Sequence, residues 1–184
     1  MANNKGSNYL LDSRFLLNKT RIQEGNKIAD LGCGASGHFV FPASRIVGKN
    51  GQVYAVDVLK HALEVIQKKA DQENFNNIKE VWSNLEIFKG TKIEAESLDV
   101  ALLINTLFQS PNKAAILREA VRLLKKSGHL LIVEWENSDS PLGPPTESRV
   151  KKEPLKSAAQ KLGLKLEEEF NAGNYHYGML FTKM

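Results

Sequence analysis

Short apolar runs alternate along the chain with stretches whose apolar residues recur three and four apart, the pattern of strands joined by packed helices. The runs at 28–31, 53–57, 78–82 and 97–105 read as strands, the last so continuously apolar that it belongs in the middle of a parallel sheet. Between them, Val40, Phe41, Ile46 and Val47 predict one helix, with Pro42 tolerated near its first turn. Leu59, Ala62, Leu63, Ile66 and Ala70 predict a second. A third is expected to start at Ser110-Pro111, a cap-competent serine before a first-turn proline, to bury Ile116, Ala120 and Leu123, and to stop at Gly128. His129 then opens a fifth strand. After a Pro- and Gly-rich loop at 138–149, of the functional kind, Leu155, Ala158, Ala159 and Leu162 mark a helix ended by Gly163. Two closing strands, 164–170 and 175–182, flank a turn at 171–174.

Residues 1–8 read as disordered, and 9–17 carry enough apolar surface, from Leu10 to Leu17, for a covering helix. We therefore divide the chain into a tail and covering helix at 1–19 and one domain at 20–184. The length of 184 residues and an apolar content of 42% suit a single buried core. No apolar run approaches a membrane span, and the polar start carries no signal-peptide core. A lone cysteine argues against disulfides and thiolate metal clusters and for a reducing cytoplasm. The formal charge of +4 permits an acidic partner such as RNA without requiring one.

Chemistry concentrates at Asp30-Leu31-Gly32-Cys33-Gly34-Ala35-Ser36-Gly37, where the first strand runs into a glycine turn and then a helix. Gly32 allows a sharp turn, Gly34 lets backbone approach a ligand, and Gly37 lets the helix pack closely on the strand. The free N–H groups of such a turn favour a polar or anionic ligand. Asp57 ends the second strand, where open α/β sheets bind ligands. Its carboxylate there can accept from both ribose hydroxyls of a nucleoside, or simply cap the next helix.

The motif Asp-x-Gly-x-Gly-x-x-Gly resembles motif I of the class I S-adenosylmethionine (SAM) methyltransferases. Ser97-Leu98-Asp99 and the segment LREAVRLLKKSGHLLIVEW resemble the fourth strand and the helix-turn-fifth-strand segment of the same superfamily. With five helix-linked strands and a final hairpin, this predicts an α/β, Rossmann-like three-layer sandwich. Its seven-stranded sheet is expected in the order 3-2-1-4-5-7-6 with strand 7 antiparallel. The resemblance implies SAM as cofactor and S-adenosylhomocysteine as product. It places SAM against Asp30, Gly32, Gly34, Ala35, Ser36, Gly37, Asp57, Val58, Asn84, Leu85 and Asn105. Asn84 stands where the superfamily usually has an aspartate for the adenine amino group; its amide can donate and accept. No metal is implied.

On the substrate side, Phe108, Gln109, Trp135 and Tyr175 are expected to wall a flat acceptor, with Tyr177 nearby. His176 is the general-base candidate, because imidazole titrates near neutral pH, and His38 the second choice. Glu134 and Glu136 flank Trp135, and at most one is expected to face the site. His129, at the far end of its strand, and Cys33, in the turn, read as structural. The absence of Asn-Pro-Pro-Tyr after the fourth strand argues against the amino-methylating enzymes of DNA, adenine-RNA and glutamine. Cys33 alone does not make the thiol pattern of arsenite methyltransferases. The overall run is most similar to the small-molecule branch related to ubiquinone/menaquinone C-methyltransferases. A protein or RNA methyltransferase, suggested by Arg149, Lys151, Lys152, Lys156, Lys161 and Lys165, stays open. So does a non-catalytic reading as a nucleotide-binding or partner domain.

Overall fold

A computed structural model describes residues 10–137 and 142–184. Seven strands form one sheet in the order β3-β2-β1-β4-β5-β7-β6, as the sequence predicts. The parallel strands are β1 (Lys27–Leu31), β2 (Gln52–Asp57), β3 (Ile78–Trp82), β4 (Leu98–Ile104) and β5 (Leu124–Trp135). Strand β7 (His176–Lys183) runs antiparallel to both β5 and β6 (Leu164–Gly173).

Strand alternation divides the core in two. Ala29, Leu31, Ala101, Leu103, Leu130 and Ile132 face α4 (Lys113–Leu123) and α5 (Lys152–Lys161). Ile28, Val100, Leu102, Leu131 and Val133 face α1 (Ser13–Lys19), α2 (Val40–Val47) and α3 (Lys60–Gln72). Both faces of the central strands are thus covered, which explains their unbroken apolar runs. The C-terminal ends of β1, β2, β3 and β4 meet along one edge, and the cleft opens there.

Several boundaries differ from the sequence expectations, each for a local reason. Asp12 caps α1 by accepting from the Phe15 N–H at 3.0 Å, so that helix begins at Ser13 rather than at residue 9. The tail through residue 9 lies outside the described residues, as do 138–141 of the Pro- and Gly-rich loop. Leu59 is not part of the buried stripe of α3; it precedes the helix and is 64% exposed at the cleft. Helix α4 is capped by Asn112, whose side chain accepts from the Ala115 N–H; the Ser110 hydroxyl donates to Glu86 at 2.6 Å and accepts from the Asn112 N–H at 2.9 Å, shaping the turn before the helix instead of capping it. Gly128 does not stop that helix: Leu124 already pairs with Leu98 and opens β5. The closing hairpin is tighter than expected, with only Asn174 and Tyr175 between its strands. That extension sets His176 directly opposite Trp135.

Candidate active site

A cleft of about 980 Å³ lies over the C-terminal ends of the central strands. Its floor is the glycine turn. Gly32 has φ +91°, and a Cβ there would stand 2.7 Å from the Thr106 hydroxyl oxygen, so turn and β4 end meet at backbone distance. Gly34 has φ +60° and nothing within 4 Å of where a Cβ would be. The space a side chain would take is left to the cleft.

Asp57 completes this wall. One carboxylate oxygen accepts from the Gly34 N–H and the other from the Leu59 N–H, both at 2.9 Å. The carboxylate is therefore fixed by backbone on both sides, and each oxygen keeps a lone pair toward the cleft. Val58 (55% exposed) and Leu59 present apolar surface beside it, with Leu85 and Ile116 also on the lining. The Trp82 indole N–H donates to the Val58 carbonyl at 2.9 Å and fixes that segment.

Behind the turn, Asp30 is buried, and its Oδ2 has no hydrogen-bond partner among the described residues. Burial, then repulsion from Asp57, pushes its pKa up to about 7. The anchored Asp57 carboxylate at the open glycine turn fits a vicinal diol, and the acidic pair it makes with Asp30, which is buried behind the turn and off the cleft lining, favours a cationic ligand. Apolar walls next to them fit a flat ring. A nucleoside carrying a positively charged end satisfies all three.

Of the sequence-chosen residues, Gly32, Gly34, Ala35, Ser36, Asp57, Val58, Asn84, Leu85, Asn105, Phe108 and Gln109 line this one cleft. Gly37 sits behind it, against Phe41 and Ile66, so it lets α2 and α3 close up rather than helix on strand. The Asn84 side chain accepts from the Glu86 N–H at 2.9 Å, shaping its own turn.

Trp135, Tyr175 and His176 are not on the cleft lining. His176 is 1% exposed, its ring centroid 4.2 Å from that of Trp135. Burial, then the Arg149 charge, lowers its pKa to about 4. Among the described residues neither ring nitrogen has a partner, nor has the Trp135 indole N–H. A general base needs access to the proton it takes, so His176 as placed here does not serve. His38 is occupied with the Leu11 carbonyl at 2.8 Å. Neither flanking glutamate faces the cleft: Glu134 is buried beneath the turn after β4, and Glu136 pairs with Lys152 at 2.6 Å. Arg149 donates to the carbonyls of Glu136, Leu142 and Pro144 at 2.8–3.0 Å, pinning the described part of its loop.

Glu86, which sequence reasoning missed, also lines the cleft, as do Thr106 and Ser110. The Thr106 hydroxyl donates to the Leu31 carbonyl at 3.0 Å, and the Glu86–Ser110 bond links the β3 loop to the turn before α4. Only proximity in the sequence to Asn84 signalled Glu86.

The profile of a family described as "Methyltransferase domain" matches residues 22–176. The chain belongs to that family. This methyltransferase domain is 30% identical over 118 residues to demethylmenaquinone methyltransferase of Lactococcus lactis subsp. lactis, which covers 64% of this chain and 45% of that protein. It is 28% identical over 138 residues to a ubiquinone/menaquinone biosynthesis C-methyltransferase of a Marinomonas species, covering 74% and 53%. The chain thus spans about half the length of these curated relatives. A crystal structure of a SAM-dependent methyltransferase from Aquifex aeolicus superposes with a TM-score of 0.85, covering 95% of this chain and 91% of that one at 22% identity. That likeness carries the fold.

Proposed function

We propose that this domain transfers the methyl group of SAM to a small molecule by in-line displacement. The observation that carries the reading is the Gly34–Asp57 bond: an open glycine turn whose N–H fixes a carboxylate at the cleft. Bound there, SAM supplies a methyl group already activated on a sulfonium. The protein's own work is placement and exclusion of water. Asp57 is assigned the ribose hydroxyls, Val58 and Leu59 with Leu85 and Asn84 the adenine, and Asp30 with the glycine turn the cationic end. Phe108 and Gln109, on the turn after β4, stand over the position from which an acceptor would attack.

A small-molecule acceptor is supported by the names of the relatives, which act on quinone precursors. The basic run proposed for RNA is partly spent on ion pairs: Lys152 bonds Glu136 at 2.6 Å and lies 3.6 Å from Glu169. Among the described residues no helix is long and apolar enough to cross a membrane. Cys33, buried at the turn, supports our placement of the reaction in a reducing cytoplasm. We assign α1 the part of a cover and residues 20–184 that of the domain. Calorimetric titration with SAM and S-adenosylhomocysteine, with NAD as control, tests the reading. Micromolar binding of both sulfur compounds and none of NAD is expected; preference for NAD would replace it with a dinucleotide-binding role.

A further inference from the structure

Glu134, next to last in β5, has no exposed surface. Its Oε1 accepts from the Leu107 N–H at 2.7 Å, and the N–H groups of Thr106 and Phe108 lie against the same carboxyl. Its Oε2 has no partner among the described residues. The chain also holds a buried carboxylate that is satisfied throughout. Glu119 takes the Arg122 guanidinium at 2.7 and 2.9 Å and the N–H groups of Lys89 and Thr91. Those bonds bring its pKa below the ordinary carboxylate value even though burial opposes this. Glu134 has no such cation bonded to it.

A half-satisfied carboxyl is a costly way to fill a core, because burial penalises its charge. What it provides is an acceptor for backbone donors that a short 3-10 turn cannot satisfy internally. That turn, Leu107–Gln109, bears the acceptor side of the cleft. It is tied at both ends, Asn105 N–H to the Val133 carbonyl and the Gln109 amide to the Asn105 carbonyl. Glu134 is the tie at its middle.

We propose that Glu134 is a positioning residue of the methyl-acceptor side, its carboxyl setting where Phe108 and Gln109 stand over the cleft. The proposal rests on the methyltransferase reading above. The groups that face this carboxyl are the Tyr177 hydroxyl from β7, bonded to the Val150 carbonyl, and Lys113 from α4, bonded to the Ser110 carbonyl. Burial holds the Glu134 pKa up at about 8, the backbone donors pulling it back only in part. The hold on the turn therefore tightens as pH rises through that value, since a carboxylate is the stronger acceptor.

Nuclear magnetic resonance on the whole chain tests this, with wild type, Glu134→Gln and Glu134→Met. In the wild type the Leu107 amide proton is expected to move downfield with a midpoint near pH 8; in both variants it should not titrate. Glu134→Met leaves the N–H groups of the turn without their acceptor, so exchange protection of residues 107–109 should drop about tenfold or more. Its affinity for S-adenosylhomocysteine should stay within about threefold of wild type. A Leu107 amide that ignores both pH and Glu134→Met would overturn the proposal and leave Glu134 as filler. Failure of every form to bind S-adenosylhomocysteine would instead remove the methyltransferase reading, with the Leu107 titration still reporting on the tie.

Discussion

At the ends of β1 and β2 the polar groups border open space, while at the ends of β5 and β7 they are sealed in. Asp57 is held by two backbone N–H groups and lines the cleft. Glu134, Trp135 and His176 are buried, and each has at least one polar atom without a partner among the described residues. The first region is a preformed receptacle, in which the backbone fixes the side chain before any ligand arrives. The second is a packed wall whose polar groups act on their neighbours. On the proposed assignment, cofactor recognition and acceptor placement sit on one sheet edge and rest on different physics.

The largest effects belong to the receptacle. Asp57→Ala removes the carboxylate that the turn orients, and Gly34→Val puts a β-branched side chain at φ +60° and into the open space of the cleft. Both should abolish measurable SAM binding by calorimetry, a loss of about a hundredfold or more. Asp57→Ala is expected to leave the midpoint of thermal unfolding within a few degrees. A substitution in the wall such as Trp135→Phe should leave binding unchanged. Equal losses from both regions would erase the distinction between them.

The same distinction governs what could be read in the sequence. Strands were legible because a parallel sheet covered on both faces demands long apolar runs, and β4 has the longest. The receptacle was legible because backbone geometry restricts residue type: at 32 the φ of +91° and the nearness of Thr106 call for glycine, at 34 glycine leaves space to the cleft, and a carboxylate at the end of β2 takes the free N–H groups of Gly34 and Leu59. The wall was not. Tightening the hairpin by two residues put His176 opposite Trp135, inside rather than at a turn. Glu134 finds its partner 27 residues away, on a turn that no periodicity marks. Ser110 and Asn112 are both competent caps. The choice between them was made in the turn before the helix, where the serine hydroxyl donates to Glu86 and accepts from the Asn112 N–H.

Asp30 bridges the two regions, buried like the wall yet set behind the receptacle. Its pKa rises from 3.8 in the unfolded chain to about 7 in the folded one. Between those values the native state holds a proton that the unfolded state releases, so this residue takes stability away as pH climbs from about 4 to 7, with no further change above. Asp30→Asn should abolish that dependence and be more stable than wild type at pH 8 by on the order of 2–4 kcal/mol, the two converging near pH 4. Denaturant titrations at the two pH values measure it. If Asp30 also meets the cofactor's cation, the stabler variant binds SAM more weakly. A variant that gains stability and keeps full affinity would make Asp30 part of the wall alone.

His176 gives the smallest effect and the opposite sign. Its pKa falls from 6.5 to about 4 in the fold, so below pH 6.5 the unfolded chain takes up a proton that the buried ring refuses. Stability is then complete above about 6.5 and drains away as pH falls toward 4. His176→Leu fills the space over Trp135 with an apolar side chain and breaks no hydrogen bond, because the imidazole makes none among the described residues. The variant should match wild type at pH 7.5 and exceed it by about 2 kcal/mol at pH 4.5. SAM affinity should not change, nor should turnover of an acceptor once one is found. If turnover instead collapses while stability follows this course, the ring must leave Trp135 during the reaction, and the wall opens to admit the acceptor.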